Sequence, residues 1–283
     1  MTIWNELANI DYRHTFVNAG GLRTRALQAG HGQPVIMLHG TSGHLEAFIR
    51  NIVVLSNNFE CHAIDMMGHG HTDSPLESYR IPRYVRHVID YMDVCGIEKA
   101  NFVGESLGGW VSGRLAADFP DRVDRMILVA PGGTVANPSV MQRIKTSTRA
   151  AVMSTDIGLT RERLQLLMHD SKNVSEELVE TRHYIYHRPE FVENIDRLLC
   201  LQEMENRTED ILTAEQMGRI KAPTLIVWGA DNPFGDIPEA RGMNAAIPGS
   251  VLEIYGECGH WPQHEHAERF NRDANQFFAE EQP

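Results

Sequence analysis

Cysteine is scarce: four residues in 283, at positions 61, 95, 200 and 258, with no CxxC pair among them. That excludes a disulfide framework and points to free thiols in a reducing compartment. Basic residues are in deficit as well, 26 Lys and Arg against 38 Asp and Glu, for a net charge of −12. A nucleic-acid partner is excluded, because phosphate backbones are bound by clustered cations. No apolar run approaches the roughly 18 residues of a membrane span. The opening MTIWNELANIDYRH also lacks the basic start and apolar centre of a signal peptide. The expectation is a cytoplasmic protein with no membrane partner. What remains is ordinary for a globular chain, 42% hydrophobic and 23% charged, and long enough for one large domain or a domain with an insertion.

Strand-like runs occur at 13–17, 22–29, 34–40, 60–65, 99–105, 124–130, 222–229 and 250–255. The first two flank the turn AGG and predict a hairpin. Several of the others, such as PVIML and LIVW, are apolar at every position, as strands covered on both faces are. Helical spacing marks 45–56, 82–96, 107–120 and the stretch from Glu265 to Glu280. Strands alternating with helices predict an α/β fold, a mostly parallel eight-stranded sheet with helices on both faces. From 134 to 207 the strand-like runs stop and only helical periods continue. An all-helical insertion there is expected to cap the carboxyl edge of the sheet, where such folds bind ligands. The core would then be 1–133 and 208–283.

GESLGG fits G-x-S-x-G, with KANFVGE before it and LGGWVSGRLAADF after it. A strand–turn–helix context is what a nucleophile elbow requires. Ser106 would be pushed out at the start of a helix, where the amide of Leu107 and the helix dipole can stabilise an oxyanion. Serine needs a base, and in this chain order an acid and then a histidine should follow. His260 lies just beyond the last strand-like run, in SVLEIYGECGHW. HGTSGH follows PVIML, so the Thr41 amide is the second oxyanion candidate, with Ser42 beside it. His39 is expected to brace that turn, and DMMGHGHTD (65–73) to shape the site.

With these residues the chain resembles the α/β-hydrolase fold, and within it the meta-cleavage product hydrolases, serine enzymes that cleave carbon–carbon bonds in aromatic catabolism. The resemblance runs through FVNAGGLRTRALQAGHGQPVIMLHG, DMMGHGHTD, GESLGGW, the helical insertion and CGHWPQHEHAERFN. It implies Ser106 as nucleophile, His260 as base, and Thr41 and Leu107 as oxyanion donors. Arg182, in ETRHYIY, Trp261 and Ser42 would contact substrate. No metal or organic cofactor is implied. The partner is a small molecule, and a homodimer is expected.

Three positions depart from that family. Glu105 stands before the nucleophile where Asn is common. Ala47 stands where a second Asn is expected, after a short oxyanion loop. In GADNPFGDIPEA the position of the family's Asp is Asn232, with Asp231 one residue early and Asp236 further round. An Asn can orient the imidazole but cannot neutralise its charged form. Chemistry therefore favours Asp231 and spacing favours Asn232.

A carboxylesterase would use the same constellation, since a fold does not fix a reaction. A zinc site is a weaker alternative, because HWPQHEH and HGH lack HExxH spacing. A non-catalytic binding protein is weaker again, because Ser106 and His260 are both present. Met153, Leu167, Met168, Tyr184 and Tyr186 suggest an apolar pocket under the insertion.

Overall fold

A strand that is apolar at every position needs a core on each face, and the central strands of this protein have one. In the computed structural model, which describes residues 3–280, eight strands form a single sheet. They are β1 (Tyr12–Ala19), β2 (Leu22–Ala29), β3 (Pro34–Leu38), β4 (Glu60–Ile64), β5 (Ala100–Glu105), β6 (Val123–Val129), β7 (Thr224–Gly229) and β8 (Val251–Tyr255). Their spatial order is β1-β2-β4-β3-β5-β6-β7-β8. β2 is antiparallel to both its neighbours, and every pairing from β4 to β8 is parallel. Gly20 and Gly21 make the β1–β2 turn with φ of 58° and 94°, as a two-residue hairpin loop requires.

Alternate residues of one strand serve opposite cores. Ile36, Leu38, Phe102, Leu128 and Ile226 face one side, and Val35, Met37, Val103, Ile127 and Val227 the other. Helices α1 (Ile49–Leu55), α2 (Ile81–Val94) and α3 (Leu107–Asp118) follow β3, β4 and β5. Right-handed crossovers distribute them over the two faces. Tyr84, Val88, Trp110 and Leu115 of α2 and α3 pack on the first core, Ile52 of α1 on the second. Fully burying each such side chain contributes about 1.5–3 kcal/mol.

Between β6 and β7 the chain is helical, with α4 (Pro138–Met153), α5 (Ile157–Gln165) and α6 (Glu176–Tyr186), then short helices to Asp210 and Ala214–Gly218. Leu164, Leu167 and Val179 of this insertion join one core, Ile185 and Tyr186 the other. It therefore sits across the sheet edge where both cores end. Helices α7 (Ile237–Ala246) and α8 (Ala267–Ala279) close the fold. α7 was not expected from sequence, because it buries only Ala240 and Met243 and has no apolar stripe to read. The expected helix at 45–56 begins as a 3-10 turn, Leu45–Phe48, before α1.

Candidate active site

The tight turn after β5 is built by its glycines. A Cβ on Gly104 would lie 2.4 Å from the carbonyl oxygen of Gly108, and one on Gly108 would lie 1.9 Å from that of Leu38. With both positions bare, Ser106 can take φ 53° and ψ −111°, a conformation that costs about 1–3 kcal/mol in a non-glycine residue. The backbone offsets this: Ser106 N–H donates to Val129 O at 2.9 Å, and Ser106 O accepts from Trp110 at 3.0 Å and Gly132 at 3.1 Å. Leu107 opens α3, so its amide has no partner four residues back.

The loop after β3 brings Thr41 to the same place. Gly43 N–H donates to Gly40 O at 2.9 Å to close the turn. His39 braces it: its Nδ1 lies 2.9 Å from Gly40 O, and its Nε2 accepts from Met66 N–H at 3.1 Å. Asp65, which opens the 65–73 loop, accepts from the amides of Leu45 and His71, each at 2.8 Å. Thr41, Ser106 and His260 border two small cavities that meet at Ser106, of about 40 and 20 Å³. An ordinary ligand site offers about 300–1,000 Å³, so the insertion lies closed over this one.

His260 is buried, and burial first, then the positive charge of Arg163, pushes its pKa down to about 3. It is therefore a neutral base at neutral pH. Its Nδ1 lies 2.9 Å from Asn232 Oδ1, which also accepts from Phe234 N–H at 3.1 Å. The preference for Asp231 is corrected here. Asp231 N–H donates to Cys258 O at 2.9 Å, which turns its side chain outward onto His169 Nδ1 at 2.9 Å. Both partners of that pair are 40–50% exposed, where an ion pair contributes little. Asp236 is used elsewhere, accepting from Glu239 N–H at 2.9 Å as the N-cap of α7.

The loop carrying His260 is tied to the insertion. His260 N–H donates to Leu167 O at 2.6 Å. Glu265 accepts from Gly259 N–H at 2.7 Å with one oxygen. With the other it accepts from His169 at 2.7 Å and Asp170 at 3.3 Å. Nothing in the sequence flagged Glu265, because a carboxylate that satisfies backbone amides has no motif.

The Nε2 side of His260 holds the least expected contact, Glu105 Oε1 at 3.3 Å. Glu105 is 1% exposed. Burial raises its pKa to about 8, opposed by the Gly40 amide, Arg182, Arg163 and Trp261. The folded state thus holds a proton that the unfolded chain releases near pH 4.5. Stability should fall as pH rises from about 4.5 to about 8 and then level off. Glu105→Gln should remove that slope, melting about 5 °C above the parent at pH 8 with the gap shrinking toward pH 4. Thermal unfolding across pH checks it.

Arg182 is 1% exposed. Its Nη1 donates to Ser42 O at 2.9 Å and to Tyr186 Oη at 3.3 Å, and its guanidinium lies 5.7 Å from the Trp261 ring centre. Nε and Nη2 have no protein partner. Ser42 Oγ and Tyr186 Oη are 3.0 Å apart, so Ser42 supports Arg182 from below. Sequence reasoning missed Arg163, which sits in α5 without a motif. It is buried beside the same cavity, with Nε on Thr148 Oγ1 at 3.2 Å and Nη1 unpartnered. Leu167, Met168 and Tyr186 are buried as a pocket wall would be, whereas Met153 and Tyr184 are 57% and 66% exposed. Side chains of α4 and α6 that point away from the sheet explain those two. Among the described residues no group of three His, Cys, Asp or Glu is placed to hold a metal ion. No helix among them is long and apolar enough to cross a membrane.

A model of the α/β hydrolase fold matches residues 33–162. A 2-hydroxy-6-oxo-6-phenylhexa-2,4-dienoate hydrolase of Burkholderia cepacia is 32% identical over 93% of this chain and 94% of that protein. A 2-hydroxy-6-oxononadienedioate/2-hydroxy-6-oxononatrienedioate hydrolase of Comamonas testosteroni is also 32% identical, over the same shares. The solved meta-cleavage product hydrolase of Pseudomonas fluorescens IP01 superposes with a TM-score of 0.81 at 28% identity, covering 95% of this chain and 97% of that one. A carboxylesterase of Bacillus subtilis, at 21% identity and a TM-score of 0.82 over 98% of this chain and 95% of that one, shares the fold alone. On that likeness along nearly its whole length, the chain belongs to the meta-cleavage product hydrolases of the α/β-hydrolase fold.

Proposed function

We propose that this protein hydrolyses a carbon–carbon bond in a 2-hydroxy-6-oxohexa-2,4-dienoate, the product of extradiol ring opening of a catechol. The observation that carries this reading is Arg182, a buried cation beside Ser106 and His260 with two N–H groups left for an anion. The dienoate's carboxylate or enolate end matches the charge of the cavity lined by Arg182, Arg163 and Trp261, which widens as the insertion shifts to admit it. The 6-substituent then lies toward Trp110, Val140, Ile144 and Leu201. The insertion acts as the lid.

Held this way, the dienolate first takes a proton on carbon to become the keto form. Ser106 Oγ then attacks the distal carbonyl and passes its proton to His260, while the Thr41 and Leu107 amides face the oxyanion. The carbon–carbon bond breaks, its electron pair leaving with the departing fragment, which takes the proton from His260, and water hydrolyses the acyl-enzyme. A neutral ester can use the same nucleophile but gains nothing from Arg182. The assay follows the protein separately with a yellow 2-hydroxy-6-oxohexa-2,4-dienoate and with a p-nitrophenyl ester. Rapid bleaching with slow ester cleavage is expected. Fast ester cleavage with an untouched dienoate would sink the reading and leave a carboxylesterase. A homodimer in the cytoplasm belongs to the same reading, and sedimentation of the purified protein tests the dimer.

A further inference from the structure

The position of the triad acid holds an amide. Asn232 Oδ1 accepts Nδ1–H of His260 at 2.9 Å and so fixes the ring and its tautomer, but it brings no charge. One carboxylate does reach the imidazole, from the opposite side: Glu105 Oε1 lies 3.3 Å from Nε2. The charged and titratable groups facing Glu105 are His260, Arg163 and Arg182. Neither arginine forms an ion pair with it, and the Gly40 amide, Trp261 and the two distant arginines offset only part of the cost of its burial. A carboxyl group buried this deeply without a directly paired cation is costly, and such groups cluster at functional sites.

We propose that Glu105 supplies, from the Nε2 side of His260, the negative charge that the triad's acid position lacks. The neutral pair shares one proton at Nε2, on Glu105 in the resting state. Once that proton has passed to bulk water, Glu105 is a carboxylate and Nε2 is free to accept from Ser106. As the bond forms between Ser106 Oγ and the substrate carbonyl carbon, the serine proton passes to Nε2 and the carbonyl electron pair moves onto oxygen. The imidazolium then stands beside the Glu105 carboxylate. When the tetrahedral intermediate collapses, the electron pair of the broken bond goes to the departing fragment. That fragment takes the proton from His260, leaving acyl-Ser106 and neutral imidazole. Glu105 acts through His260 and is a positioning residue. With Glu105 ionised and His260 neutral, the two arginines and one carboxylate leave one positive charge for an anionic substrate.

This inference rests on Ser106 as nucleophile and His260 as base, but not on the bond cleaved, so it is tested with a serine-directed phosphonate. The rate of labelling is followed from pH 6 to 10 in the parent, Glu105→Gln, Asn232→Asp and the double variant, with the labelled residue identified by mass spectrometry. Parent labelling should rise with pH and level off near pH 8, where Glu105 loses its proton. Glu105→Gln should label about 100-fold more slowly, without that rise. Adding Asn232→Asp should bring the rate back to within about tenfold of the parent and make it efficient below pH 7. Glu105→Gln labelling at the parent rate with the parent pH profile would overturn the proposal. So would a double variant that melts normally yet stays as slow as Glu105→Gln. Label that persists in Ser106→Ala would instead overturn the nucleophile assignment beneath it.

Discussion

Ser106→Ala is expected to lower the rate of carbon–carbon cleavage by about 10⁴–10⁶-fold while the dienolate still converts to its keto form. The two halves of the reaction draw on different groups. Moving a proton onto carbon needs the dienolate held near cations, and Arg182 and Arg163 reach the cavity from the insertion, untouched by the loss of one oxygen. Forming the acyl-enzyme needs Oγ itself. Ser106 is held in its unusual backbone conformation by the surrounding turn rather than by its side chain, so alanine should fit without rearrangement. Stopped-flow spectra would show the dienolate band giving way to a keto species that persists. Undiminished cleavage by the variant would mean that His260 activates water directly, and the covalent route would be abandoned.

Arg182→Met should reduce kcat/KM for the dienoate by about 30–3,000-fold, the range for removing one partner of a buried charged pair. The side chain is anchored at one nitrogen by Ser42 O and Tyr186 Oη and lies against Trp261, so it meets the substrate with its orientation already set. Methionine keeps the length and apolar stem but offers no donor. Hydrolysis of a neutral p-nitrophenyl ester serves as the control, because it has no anion for Arg182 to bind. A selective loss on the dienoate supports anion recognition. An equal loss on both substrates would show that Arg182 acts only as packing under the insertion, and the assignment of the polar cavity would fall with it.

The parts of this protein readable from sequence are those in which local pattern and global role coincide. β3 is apolar at every position and β5 and β7 are fully buried because they are covered on both faces, and Gly104 and Gly108 are required by contacts under 3 Å around one turn. α7 was not readable, since a helix that buries two small patches leaves no period behind. Within the site, Ser106 follows from its motif and His260 from chain order. The choice between Asp231 and Asn232 did not, because it depends on which way one peptide faces, and the bond from Asp231 N–H to Cys258 O decides that. Arg163 and Glu265 carry no motif and act only through what the fold places beside them. Glu105 was visible as a departure from the family, but its meaning came only with its distance to His260.

The ties between the His260 loop and the insertion have a consequence for timing. The amides of Gly259 and His260 find their acceptors in Glu265 and Leu167, and Glu265 in turn grips the backbone at 169–170. Raising that stretch to admit a substrate leaves these amides unpaired and the imidazole without its footing, at a cost of about 1–3 kcal/mol for each buried group. Any movement of that stretch that widens the way in therefore also loosens the base: the door and the base share a hinge.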